Sequence, residues 1–269
     1  MPLNPTQYTF AFAGAVCLVC SVIVSSAAVG LRERQEANRL HDRRTNVLIA
    51  AGLVDIGARP SAEEVEAIFD ERISPMVIDL KAGEELPDVD PDTFDPRAAR
   101  RDPEMSESAP DNRAGIRRLP HRELVYYVYD ENGEDIDLIV FPIQGDGLWS
   151  TLYGYIAVDS DTRTVRGLTY YEHGETPGLG GEVDNPRWQA LWEGRKIYDE
   201  DWEPAVTVIK GSAGPPDENP HEVDGLAGAT ITGRGVQYML RFWFGEHGFG
   251  PFLENLREDM GVANDAQAA

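Results

Sequence analysis

The segment DGLAGATITGRGV, from Asp224 to Val236, places two threonines, Thr230 and Thr232, on a glycine-rich turn just ahead of the apolar run VQYMLRFWF. Hydroxyls at a helix start have two uses. One is capping, in which the side-chain oxygen accepts from the open N–H groups of the first turn. The other is to carry a ligand: glycine lets a backbone come close to a bound group, and a helix N-terminus offers N–H donors and a favourable dipole to an anion. GDGLWSTLYGY (Gly145 to Tyr155) and EHGETPGLGGEVDNPRW (Glu172 to Trp188) have a similar make-up. All three segments set glycines beside polar and aromatic residues at expected element ends, a surface suited to a planar cofactor bearing a phosphate.

Other chemistry is harder to build. GLGG lacks the GxGxxG spacing of a dinucleotide fold, and no GxxxxGK[ST] phosphate loop occurs. The five histidines are scattered, and only His173 lies in a glycine-rich segment, so no Ser/His/Asp set can be assembled. Asp224 and Glu175 could pair for acid–base work or hold a metal, but their spacing demands neither, and no metal site is assigned. Cys17 and Cys20, the only cysteines, lie inside an apolar run and read as small packing residues rather than metal ligands. With 47 acidic against 24 basic side chains the net charge is −23, which repels nucleic acid phosphates and also suits a salt-adapted surface.

The elements that must position these segments start with an anchor. Tyr8 to Leu31 carries no charge and, at roughly 20 residues per span, is long enough to cross a bilayer. A cleavable signal peptide is the rival reading, disfavoured by the missing basic start and by the length of the run. Arg32, Arg34, Arg39, Arg43 and Arg44 follow, and the positive-inside rule then places the C-terminal bulk in the cytoplasm. The chain divides into a tail (1–7), the transmembrane helix (8–31), a membrane-proximal helical region (32–83), a Pro-rich acidic irregular segment (84–120), a folded domain (121–256) and a polar tail (257–269). Within 32–83, Ser61 and Glu64 form a capping-box pattern.

In the folded domain, ELVYYVYD and DIDLIVFP flank Asn132-Gly133 as a hairpin, and STLYGYIAVD and VRGLTYYEH form a second pair. Trp188, Leu191 and Trp192 are spaced for one helical face, AVTVIKG reads as a strand, and Val236, Met239, Leu240 and Trp243 mark a final helix. After Phe252 the chain is expected to fray. The order of elements predicts an α+β fold: a single N-terminal transmembrane helix, then a soluble domain with a mostly antiparallel sheet flanked by helices.

HGETPGLGG followed by DGLAGATITGRGV resembles the FMN-binding domain family that includes NqrC, a component of the Na+-translocating NADH:quinone oxidoreductase, and its counterpart in the Rnf electron-transport complexes. FDPRAARRDP, GDGLWSTLYGYIAVD and the single anchor extend the likeness along nearly the whole chain, and GLWSTLYGY favours the NqrC branch. The resemblance implies covalent FMN, esterified through its phosphate to the threonine that matches Thr230. Asp224, Gly225, Gly228 and Ala229 belong to the same DG-x-[ST]-GAT motif, in which Ala227 stands where the family commonly has Ser or Thr. On this reading Asp224, Gly225, Gly228, Ala229 and Thr232 are the FMN-binding residues of the motif: Gly225 and Gly228 let the phosphate and the attaching enzyme reach the backbone, Asp224 positions the motif or binds the transferase's metal, and Thr232 caps the helix. Glu175, Thr176, Gly178 and Leu179 line the isoalloxazine ring, with Trp149, Ser150, Thr151 and Tyr153 as further contacts.

The function implied is that of an electron carrier in a six-subunit, inner-membrane Na+-translocating NADH:quinone reductase. Electrons arrive from an iron–sulfur centre and leave to the flavin of NqrB, coupling NADH oxidation by ubiquinone to Na+ export, with NADH bound elsewhere. The partners implied are the other subunits, especially NqrB, NqrD and NqrE, together with a flavin transferase and the lipid bilayer, with no nucleic acid. The family places the flavin domain in the periplasm, against the arginine count. An Rnf-type component and a membrane-anchored module that binds flavin reversibly are the alternative readings.

Overall fold

The structure, a computed structural model, describes residues 4–260. It falls into two compact units, Met1–Arg43 and Arg44–Ala269. Helix α1 extends over Pro5–Ala50, well past the expected end at Leu31, and its last turns belong to the second unit. Its Pro5–Arg32 part is long and apolar enough to cross a membrane. No proline interrupts RERQEANRLHDRRTNVL, and Arg32 pairs with Glu36 one turn on, so the helix continues through the basic stretch. It stops at a glycine. Gly52 lies at φ +73, Leu53 N–H donates to the Leu48 carbonyl and Gly52 N–H to that of Ile49, the pattern of a Schellman end.

In the second unit, strong burial along the strands reflects a sheet covered on both faces. Its strands are β1 (Ile73–Asp79), β2 (Glu84–Glu85), β5 (Arg122–Tyr129), β6 (Ile136–Asp146), β7 (Thr151–Asp159) and β8 (Val165–Glu172). They stand in the order β2-β1-β5-β6-β7-β8, antiparallel throughout. Alternate side chains leave on opposite faces. Val125 and Tyr127 of β5, Ile139, Phe141 and Ile143 of β6, and Ile156 and Val158 of β7 share a core with helices α5 (Thr230–Trp243) and α6 (Gly250–Asp259). Leu124, Tyr126 and Val128, Leu138 and Val140, and Tyr155 and Ala157 face the other way, toward Val47 and Leu48 of α1 and Val65 and Phe69 of α2 (Ala62–Arg72).

The α+β expectation therefore holds, with local corrections. ISPMVID lies in a stretch expected to be helical but is strand β1, where Pro75 would break a helix and the branched Ile73, Val77 and Ile78 are buried. Residues 84–120 are more regular than expected. Asp95 caps α3 (Pro96–Arg101), and β3 (Ser106–Ser108) pairs with β4 (Arg118–Pro120). The hairpin at Asn132-Gly133 is wider than a two-residue turn, because Asp130 N–H reaches the Asp135 carbonyl and its carboxylate accepts from Glu134 N–H.

The Trp188 helix shrinks to α4 (Pro186–Gln189) and a 3-10 turn over Ala190–Trp192, ahead of Gly194 at φ +77. AVTVIKG contributes only β9 (Thr207–Val208), which runs parallel to β10 (Glu222–Val223). Past Phe252 the chain stays helical, since Leu253 and Arg257 are also buried; residues 261–269 of the expected tail lie outside the described residues. The capping box of Ser61 and Glu64 forms as expected.

The end of α1 leans on β8 where side chains are absent. A Cβ at Gly167 would stand 2.3 Å from the Ala50 carbonyl oxygen. Gly167→Val in the full chain is expected to cost about 1–3 kcal/mol of stability through overpacking, seen as a lower Tm in thermal melts.

Candidate functional site

Three segments meet at one carboxylate. The β6–β7 turn brings Gly147 to Ser150, the segment after β8 brings His173 to Gly181, and α5 brings its first turn. Glu175 joins them: Oε1 accepts from Trp149 N–H at 2.8 Å and Ser150 N–H at 3.2 Å, and Oε2 accepts from the Thr232 hydroxyl at 2.7 Å. Glu175 and Thr232 are both buried. Glycines make the room. A Cβ on Gly147 would stand 2.6 Å from Oε1, and one on Gly180 would stand 2.5 Å from Oε2 and 2.6 Å from the Thr232 hydroxyl.

A second stitch runs from Gly174 N–H to the Ser150 hydroxyl oxygen at 2.6 Å. Burial alone would raise the Glu175 carboxyl, but hydrogen bonds from Trp149 N–H, the Thr232 hydroxyl and neighbouring N–H groups outweigh it and hold the group below the usual glutamate value.

Glu175, expected against a flavin ring, commits its carboxylate inward to these donors. For Thr232, expected as the helix cap, the assignment changes. Helix α5 begins two residues earlier, at Thr230, and Thr232 turns into the interior as its third residue. The cap position falls to Ala229, which offers no side-chain acceptor, so among the described residues the first-turn N–H groups carry no side-chain cap. Thr230, the first helical residue, is exposed.

The glycines of the motif divide their work. Gly225 is pressed against Ile209, whose carbonyl oxygen would stand 2.2 Å from a Cβ, so this glycine serves packing rather than the approach of a phosphate. Gly228 adopts φ +71, where a side chain would be strained, and a Cβ there would crowd Leu179 at 2.9 Å. Asp224 accepts from Ala213 N–H at 2.7 Å through its carboxylate and from the Trp188 indole at 2.9 Å through its backbone carbonyl, tying the motif to its neighbours.

Thr176 to Leu179 form a tight turn. Leu179 N–H donates to the Thr176 carbonyl, with Pro177 and then Gly178, at φ +76, in the central positions, the residue types of a type II turn. Thr176, Gly178 and Leu179 are exposed. Four large apolar side chains from the three joined segments face solvent: Leu148 and Leu179 at 44%, Ile231 at 56% and Trp149 at 71%. Such exposure is unusual for residues this large and suits a flat apolar ligand. Leu148 and Ile231 escaped the sequence reading; their only signal is an apolar residue set within a glycine-rich turn.

Thr151 and Tyr153 belong elsewhere. The Thr151 hydroxyl donates to Asp146 at 3.2 Å, and the Tyr153 ring lies under the Arg97 guanidinium at 4.6 Å, both lining a separate arginine-rich cavity. Ser150 stays in the site, but its hydroxyl is used within the protein.

Fold and site together define an FMN-binding domain, whose family model matches residues 147–245. The relatives narrow this further. The NqrC component of the Na(+)-translocating NADH-quinone reductase of Yersinia pestis is 49% identical over 245 residues, 90% of each chain, and that of Pseudomonas aeruginosa is 47% identical over 94% of this chain and 97% of its own. The crystal structure of Shewanella oneidensis NqrC covers 84% of this chain and 99% of its own, with a TM-score of 0.74 at 37% identity. This chain belongs to the NqrC family of Na(+)-translocating NADH-quinone reductase subunits.

Because the folded protein holds the Glu175 carboxyl below its unfolded value, the stabilisation is complete above the usual glutamate range and is lost as pH falls through the lower folded value. Glu175→Gln is expected to cost about 1–3 kcal/mol at neutral pH. In thermal melts at successively lower pH, the gap to wild type should narrow below the usual glutamate range.

Proposed function

We propose that the chain is the electron-carrying NqrC of a Na+-translocating NADH:quinone reductase, holding FMN by a phosphoester through the Thr230 hydroxyl. One observation carries the attachment point. Thr230 is an exposed hydroxyl on the first residue of a helix whose N–H groups have no side-chain cap among the described residues, beside a buried carboxylate that draws four exposed apolar residues into one site. The residues present fit the group. The α5 N-terminus would hold the phosphate, which keeps a negative charge after esterification, and Trp149, Leu179, Leu148 and Ile231 would cover apolar ring surface.

FMN supplies reversible electron acceptance; the chain fixes its position and surroundings. Glu175 acts by holding the β6–β7 turn and α5 together, which keeps Trp149 near the helix start. In maturation a flavin transferase would use an anhydride-activated flavin: the Thr230 Oγ–P bond forms at the flavin phosphate, the anhydride P–O bond breaks and its electron pair leaves with the other phosphate, and the hydroxyl proton passes to a base of the transferase or to water. Ala227, the residue before Gly228 in the motif, is exposed and lies outside the contacts that hold the site together.

On this reading the electrons come from an iron–sulfur centre and pass to the flavin of NqrB, with NqrD and NqrE as further neighbours. The relatives favour this placement over an Rnf complex, since those matched are components of Na(+)-translocating NADH-quinone reductases. The helix over Pro5–Arg32 anchors the chain in the inner membrane, and the domain is assigned to the periplasm, with the partner subunits overriding the arginine bias.

Two outcomes are expected. Co-expressed with a flavin transferase, the full chain should give a band on a denaturing gel that fluoresces under ultraviolet light, and Thr230→Val should give a dark band of equal protein. A dark wild-type band, with the transferase active on another substrate, would refute covalent attachment. In intact spheroplasts, added protease should digest the domain; protection until lysis would place it in the cytoplasm.

A further inference from the structure

Beside the flavin turn lies a cavity of about 520 Å³ that the electron-carrier reading does not use, lined by five arginines: Arg97, Arg100, Arg101, Arg117 and Arg118. The first three come from α3, within the FDPRAARRDP stretch, and the other two from the segment entering β4. Among the described residues, Asp146 is the only carboxylate in the lining. In a chain of net charge −23, five guanidiniums around one cavity are a costly concentration of charge unless something answers it.

Internal partners answer only part of it. Arg97 pairs with Glu172 at 2.6 Å, and Arg100 pairs with the buried Glu123 at 2.5 Å while donating to Gln144 at 2.7 Å. Arg118 donates to the hydroxyl and carbonyl of Ser106, which bring no charge. Among the described residues, Arg101, Arg117 and Arg118 have no carboxylate within ion-pair distance. Asp146 faces the same cavity but accepts from the Thr151 hydroxyl, and one carboxylate does not balance three cations. Helix-end electrostatics accounts for Arg100 and Arg101 in the last turn of α3 but not for Arg117 and Arg118, which arrive from another segment.

We propose that this cavity is an anion site, distinct from the flavin motif, that takes a phosphate-class anion, either free phosphate or the headgroup of an anionic lipid. Guanidinium forks match tetrahedral oxyanions in paired hydrogen bonds, which a lysine cluster would not reproduce. The site is organised before the ligand arrives. Arg100 is held by Glu123 and Gln144 and Arg97 rests on the Tyr153 ring, while the exposed Arg101 and Arg117 are free to close over the anion. Asp146 sets the side that the anion avoids.

The test is calorimetric titration of inorganic phosphate into the full chain in phosphatidylcholine nanodiscs. Saturable binding is expected, weakened about tenfold or more by Arg101→Gln with Arg117→Gln and left unchanged by Arg187→Gln, an exposed arginine elsewhere. Arg117→Gln alone, with its Tm checked against wild type, guards against a folding defect and should weaken binding in the same direction. Thr230→Val should bind phosphate as wild type does, which keeps this site independent of the flavin reading. Repeating the titration in nanodiscs containing phosphatidylglycerol separates the sources: a lower apparent phosphate affinity assigns the site to a headgroup, an unchanged one to free phosphate. Absence of saturable binding, binding that survives the arginine substitutions, or binding abolished by Thr230→Val would overturn the proposal.

Discussion

A buried carboxylate that accepts from two backbone N–H groups and a hydroxyl holds the candidate site together. Among the described residues, Glu175 alone ties the first turn of α5 to the β6–β7 turn by hydrogen bonds, and with the Gly174–Ser150 bond it joins three glycine-rich segments into one surface. The cost of burying the charge is offset because its donors are two backbone N–H groups of the short β6–β7 turn and a hydroxyl held in the interior by α5. Gly147 and Gly180 are conditions of the same arrangement, since a methyl group at either would collide with the carboxylate. The glycines that suggested ligand binding are thus partly explained by an internal ligand, the side chain of Glu175.

This division explains what could be read from the residues alone. A helix start close to Thr230 was legible from the glycine-rich turn ahead of VQYMLRFWF, while the role proposed for its hydroxyl rests on the family resemblance; the fold class followed from strongly β-forming segments around turn residues. The roles of Glu175 and Thr232 were not legible. They depend on a contact between residues far apart in the chain, and a threonine two positions into a helix looks the same whether it caps, faces water or donates inward. Tyr153 and Thr151 were drawn to the flavin by closeness in sequence to Trp149. Once past the turn, strand β7 carries them toward the arginine cavity instead.

The missed elements share another cause. Strand β1 has the length and branched residues of a strand but stands directly after a well-capped helix, with no glycine to mark the change. The order within residues 84–120 comes from long-range pairing such as that of Arg100 with Glu123, and Asn255 reaches back in the same way to the carbonyls of Ala82 and Gly83; no local pattern announces either. Helix α6 persists because Phe252 and Leu253 enter the core, a tertiary reward that composition alone does not reveal.

The last turns of α1 bear on the order in which the protein can be made. Val47 and Leu48 belong to the core beneath the sheet, and the Ala50 carbonyl rests on Gly167 of β8, the final strand of the meander. A helix synthesised ahead of the whole sheet therefore cannot complete its burial until the last strand of that sheet has been synthesised. Its apolar end stays unburied through the translation of everything between, so its docking closes a contact between residues far apart in the chain.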